Sequence, residues 1–106
     1  MDKVVGIGDF GCALAEELTA YPEYRVYKIN SEISERGSLA VGRHSDMQQY
    51  ESSIDDDEVA VYLRSVRHGD EVLVVVEGGD PITGCLLRIL NTINDAKISV
   101  LYVCPD

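Results

Sequence analysis

At 106 residues, 45% of them hydrophobic, the chain has the length of one domain and enough apolar material for helices to sandwich a central sheet, so a second domain has no room. Nine basic against nineteen acidic side chains leave a formal charge of −10, which repels phosphate polymers and anionic bilayers and makes nucleic acid and membrane poor partners. No apolar run approaches the roughly 18 residues that span a bilayer, and the first residues lack the charged and apolar regions of a signal peptide. The expectation is a cytoplasmic protein.

Cys12, Cys85 and Cys104 are odd in number and far apart, with no C-x-x-C pair and no histidine at ligand spacing. This favours a reduced compartment over a disulfide framework or structural zinc. Each lies in or beside an apolar segment, where a free cysteine behaves as a small hydrophobe. Cys12 stands apart, because its expected place at a helix N-terminus is one that lowers a thiol pKa.

Residues 3–8, KVVGIG, form a short apolar run ending in glycine, after which Leu14 and Leu18 fall at helical spacing until Tyr21 and Pro22. Strand, tight turn and helix follow from that change of period. Residues 24–30, YRVYKIN, alternate and are rich in β-branched and aromatic side chains, which predicts a second strand beside the first. The stretch 31–57 carries Gly37, Gly42 and several Ser and Asp, with LAV at 39–41 as its one strand-like piece. It reads as loop with an edge strand.

Asp55, Asp56, Asp57 and Glu58 precede a stripe of Val59, Tyr62, Leu63 and Val66 at i, i+3, i+4 and i+7. Carboxylates at a helix N-terminus cap its free amides and complement its dipole, which accounts for the cluster without a metal. His68 and Gly69 end this helix, and His44 and His68, lacking evident partners, read as surface or capping residues. Residues 71–77, EVLVVVE, resemble a strand buried on both faces of a parallel sheet. A glycine-rich turn follows at 78–84, GGDPITG, then a helix with the stripe Leu86, Ile89, Leu90 and Ile93, and a last strand at 98–104.

The succession predicts an α/β fold, a three-layer Rossmann-like domain with a parallel sheet of four to five strands and right-handed crossovers. The first strand should lie between those at 24–30 and 71–77, with 98–104 outermost. The chain order then reverses between the strands ending at Gly8 and Glu77, the place where open α/β sheets bind ligands.

Two turns meet there. Gly6, Gly8 and Gly11 spell G-x-G-x-x-G after a strand and at the opening of a helix. In that context the first two glycines admit a pyrophosphate to the backbone, the third lets helix pack on strand, and free amides face the anion. The structural alternative is a glycine turn kept for helix-on-strand packing alone. In the second turn Gly78, Gly79 and Gly84 offer amides, and Thr83 a hydroxyl or a cap. Asp80 and Pro81 oppose phosphate binding, one by charge and the other by removing an amide donor.

These two turns, in this order and spacing, resemble the N-terminal domain of the tubulin and FtsZ superfamily over the whole chain. GIGDFGCA matches the family's first glycine loop, the strand ending at Asn30, Ser31 and Glu32 its second strand, GGDPITG its GGGTGTG signature, and VLYVCPD its next strand with a proline-containing turn. The resemblance implies GTP or GDP held between the loops, with Gly8, Asp9, Phe10, Gly11 and Cys12 lining the first and Gly78, Gly79, Thr83 and Gly84 the second. It also implies a role in polymer assembly or its regulation. The chain departs from the family at Asp80, Pro81 and Ile82, and at Ala13, where an asparagine is typical. It also stops before the family's long central helix and second domain, which complete the guanosine pocket and supply the hydrolysis loop.

GIGDFGCALAEEL is similar as well to nicotinamide-binding Rossmann domains that regulate potassium transport, which implies NAD(H) instead. There an acidic residue ending the second strand holds the ribose; here the position is Asn30, with Glu32 two residues on. The expectation is therefore a truncated or single-domain tubulin/FtsZ-like protein with residual nucleotide binding and no GTPase activity of its own. An NAD(H)-sensing domain and an interaction module without a nucleotide are the alternatives. The apolar strand 98–104 predicts a homodimer or weaker self-association through an open sheet edge.

Overall fold

The computed structural model describes residues 2–104. Five strands, β1 (Lys3–Ile7), β2 (Arg25–Asn30), β3 (Ser38–Ala40), β4 (Glu71–Glu77) and β5 (Lys97–Val103), form one sheet in the order β3-β2-β1-β4-β5. All four pairings are parallel. The fold is α/β and Rossmann-like, with the expected reversal between β1 and β4. The turn expected at Pro105 lies outside the described residues.

Strand alternation assigns the two faces of the sheet. Val5, Ile7, Tyr27, Ile29, Val72, Val74 and Val76 point to one face, where they join Tyr50, Val59, Leu63, Ile82 and Ile89 in the main core. The helices over it are α2 (Met47–Ser53), α3 (Asp56–Tyr62) and α4 (Leu86–Thr92). On the other face Val4 and Val75 meet Ala15 of the single helix α1 (Gly8–Leu18), flanked by Leu14, Leu18, Val26 and Leu73. β1 and β4 are therefore covered on both sides, and each valine or isoleucine they bury contributes about 1.5–3 kcal/mol relative to exposure.

Three local features differ from the sequence expectation. Residues 47–53, expected as loop, are the helix α2, capped by the Asp46 carboxylate accepting from the Gln49 amide at 2.8 Å. The Gln49 side chain in turn accepts from the amide and hydroxyl of Ser45. The helix α3 stops at Tyr62, so Val66 reaches the core from a turn instead of a fourth helical position. The second glycine turn tightens into a 3-10 helix from Pro81 to Cys85, with the Asp80 side chain accepting from the Ile82 amide at 3.1 Å.

The acidic start of α3 behaves as a cap. Asp55 accepts from the amides of Asp57 and Glu58 at 2.9 and 3.3 Å. Asp56 accepts from Nε and Nη2 of Arg88 at 3.0 and 2.8 Å, and that pairing holds its carboxyl below the usual range. α3 and α4 are thus joined side by side. His44 has partners after all: its Nε2 lies 2.8 Å from the Ser53 hydroxyl, and its ring stands edge-on to Tyr50.

Candidate functional site

The mouth of the site is the C-terminal end of β1 and β4, where the two glycine turns emerge from neighbouring strands. Gly8 opens α1 with φ +78°, a conformation that costs a side-chain-bearing residue about 1–2 kcal/mol. A Cβ on Gly8 would lie 2.8 Å from Asp80 Oδ2 and 2.8 Å from Ile82 Cγ2. The first turn is therefore roofed by the second, and the group directly over Gly8 is a carboxylate of the chain itself.

The other fingerprint glycines serve close backbone approach. A side chain at Gly6 would strike the Gly11 carbonyl and the Ala15 methyl, and one at Gly11 would strike the Val75 carbonyl. Gly11 thus lets α1 lie directly on β4, the packing role expected of a third fingerprint glycine. Gly6, Gly8 and Gly11 are all buried, whereas Asp9 and Phe10 are exposed on the first turn of the helix. The Ile7 side chain supplies no cap to α1.

Asn30 ends β2 on the same side of the sheet. Its amide nitrogen donates to Asp9 Oδ1 at 2.9 Å, and its oxygen accepts from the Ser31 amide at 2.8 Å. Ser31, the one buried polar residue of the described chain, shares a 2.5 Å hydrogen bond with the Tyr50 hydroxyl. Asp9 and Asn30 thus bridge α1 and β2 in the position where a ribose would lie in a dinucleotide domain.

Cys12 corrects the sequence expectation for its thiol. It stands in the first turns of α1, but its sulfur is buried between β1 and β2, within 3.5 Å of the Gly6 carbonyl oxygen and 3.4 Å of that of Ile29. Burial pushes its pKa up to about 11, outweighing the Ile29 hydrogen bond and nearby Lys28. Cys85, at the end of the 3-10 helix, is likewise buried and raised to about 11. Cys104 is exposed, unlike the other two and contrary to its reading as a small buried hydrophobe.

In the second turn each group has a local task. The Thr83 hydroxyl donates to the carbonyls of Glu77 and Asp80, at 2.9 and 2.6 Å, tying the 3-10 helix to the end of β4. A Cβ on Gly78 would lie 2.5 Å from the Tyr102 ring, and one on Gly84 would collide with the Met47 backbone. Gly84 is therefore the seat of α2. Gly79 is exposed beside Asp80. Sequence reasoning identified Asp80 as an obstacle, but it missed Met47 and Tyr102 as the groups that fill the space beside Gly84 and Gly78.

Among the described residues no group of three or more His, Cys, Asp or Glu side chains is arranged to hold a metal ion. No helix among them is long and apolar enough to cross a membrane. A comparison with models of known protein families finds no match to this chain, and a comparison with curated proteins finds none either.

Proposed function

We propose that this chain is a tubulin/FtsZ-like assembly module with weak, residual GTP or GDP binding and self-association as a homodimer. The observation that carries the reading is the position of Asp80. In a working glycine loop an anion sits over the second glycine, against the free amides of the helix. Here Asp80 Oδ2 lies over Gly8 and its other oxygen caps the 3-10 helix. A phosphate entering this place meets a like charge and must displace a carboxylate already hydrogen-bonded to a backbone amide. Hydrolysis also needs a positioned water and a phosphate clamp, so the chain alone is expected to have no GTPase or ATPase activity.

Equilibrium titration with GTP, GDP, ATP and NADH tests the reading on the wild type and on the double variant Asp80→Gly, Pro81→Thr. That variant removes the carboxylate and restores an amide donor, and GTP affinity should rise on the order of tenfold, about 1.4 kcal/mol. No binding of any nucleotide to either protein would leave an interaction module without a nucleotide, and equal GTP affinity in the two would remove Asp80 and Pro81 as the cause of weak binding. A second reading, NAD(H) binding, is favoured by one observation: Asn30 ends β2 within hydrogen-bond reach of Asp9, where a ribose hydroxyl could exchange with that bond. Tighter binding of NADH than of GTP would select it.

A further inference from the structure

We infer that β5 is the interface with a second copy of this chain, paired antiparallel about a two-fold axis that runs normal to the sheet, midway between the two copies of Val100. The inference names the surface for the self-association proposed above and rests on that part of the reading alone. It does not depend on any nucleotide.

β5 is the outer strand of the sheet, and its backbone directions follow from its two ends. The Val103 carbonyl accepts from the Gly78 amide and the Lys97 amide donates to the Asp70 carbonyl, both at 2.7 Å. In a parallel strand the N–H and C=O of one residue point to the same side, and sides alternate along the strand. Residues 97, 99, 101 and 103 therefore turn their backbone groups toward β4, and Ile98, Val100 and Tyr102 turn theirs outward. A two-fold at Val100 sets Val100 opposite its own copy and Ile98 opposite Tyr102. All three outward residues of each strand then exchange hydrogen bonds with the partner, and the whole strand Lys97–Val103 is used.

The side chains suit the same operation. Val100 and Tyr102 are 41% and 48% exposed, large values for apolar residues in a strand. By register with Val74 and Val76 they lie on the face that carries α4. On α4, Arg88 faces Asp56 of α3, so the opposite flank looks toward β5 and beyond it. That flank holds Leu87, 72% exposed, and Leu90, which with Arg88, Asn91 and Asn94 line an open hollow of about 490 Å³ along the outer surface of α4. An axis normal to the sheet keeps both α4 helices on one face, and their Leu87 flanks approach each other across the join.

Charge distribution selects a second copy as the occupant. Residues 81–104 hold two basic side chains, Arg88 and Lys97, and one acidic, Asp95, while the chain as a whole carries −10. The exposed apolar side chains of α4 and β5 thus occupy the part of the chain that escapes the negative excess. Two copies meeting there keep their acidic surfaces apart, whereas most other faces would repel one another.

Sedimentation of the 106-residue chain without nucleotide, over a range of concentrations and salt, tests the proposal. A dimer is expected whose fraction rises with salt, as the remaining repulsion is screened. Val100→Pro deletes an outward N–H and leaves the β4 ladder intact, and Leu87→Glu places a charge on the axis flank. Each should weaken the dimer on the order of tenfold or more. Circular dichroism of Leu87→Glu, an exposed position, should stay that of the wild type. In a Cys104→Ser background, Val100→Cys should form a disulfide-linked dimer on mild oxidation, because residues paired across the axis lie about 5.5 Å apart between Cα atoms. A strict monomer at every concentration overturns the proposal. So does a dimer indifferent to both Leu87→Glu and Val100→Pro, whether or not nucleotide binds.

Discussion

The two glycine-rich turns sit side by side at the mouth of the sheet, yet they use glycine for different ends. In the first turn, Gly6 and Gly11 let backbone meet backbone, at the crossing of β1, α1 and β4. In the second, Gly78 makes room for the Tyr102 ring and Gly84 for the backbone of α2, while Asp80 and Thr83 tie the loop to itself. The first turn is a backbone crossing with a positive-φ glycine at the start of α1. The second has become a packing junction that closes over it. A motif match at one loop therefore says little about a ligand until the neighbouring loop is placed.

The contrast breaks most sharply at Gly11. A valine there drives a branched side chain into the Val75 carbonyl at the centre of the sheet, and the expected loss is about 3 kcal/mol or more in a urea titration, or no folded protein. Gly84→Ala should be less costly, about 2 kcal/mol, because its clash is with the shorter, peripheral helix α2. Hydrogen exchange should then accelerate in residues 47–53 and remain slow in β1 and β4. Equal acceleration throughout would mean that the second turn supports the central sheet as directly as the first.

Each turn also shelters a thiol, and alkali probes both. The native pKa values of Cys12 and Cys85 are raised from 9.0 to about 11 by burial, so unfolded thiols ionise while folded ones still hold their protons. Their contribution is complete below pH 9, and it is lost as pH climbs from there toward 11. The thermal midpoint should fall over this interval, and the paired variant Cys12→Ala, Cys85→Ala should fall less steeply. Thiol-labelling at neutral pH should modify Cys104 and spare the other two. The smallest effect is expected at Gly37, outside both turns: φ is +81° with open space around it. Gly37→Ala should cost only the backbone strain of about 1 kcal/mol.

Much of this architecture was legible because it rests on period and punctuation. The runs at 3–8 and 71–77 carry too many valines to face water, and the stripe from Val59 to Leu63 fixes its own helix. α2 was missed although Met47, Tyr50 and Ile54 fall at i, i+3 and i+7, because a stripe of three among Gln, Glu, Ser and Asp is a weak period in a segment rich in turn formers. Its place is set by Asp46 capping and by the gap at Gly84, both of which depend on the fold. At the site, the glycines and the charge of Asp80 could be read directly. Its position over Gly8 could not, because it arises where segments 72 residues apart in sequence converge. Cys12 shows the same limit: its helix-start location followed from the motif, but its burial depended on β2.

The central strand has a consequence for how the protein comes into being. β1 lies between β2 and β4, with Lys3 in register with Arg25 on one side and Val72 on the other. During synthesis the first neighbour follows almost at once, while the second emerges only after some seventy residues have been made. Until then Val4, Val5 and Ile7 belong to an incomplete sheet with one open flank. Such distant pairing slows folding and lengthens exposure to wrong partners. The nascent chain thus stays vulnerable until residues 71–77 have emerged and can pair with β1, and a pause before that point would favour aggregation over the native fold.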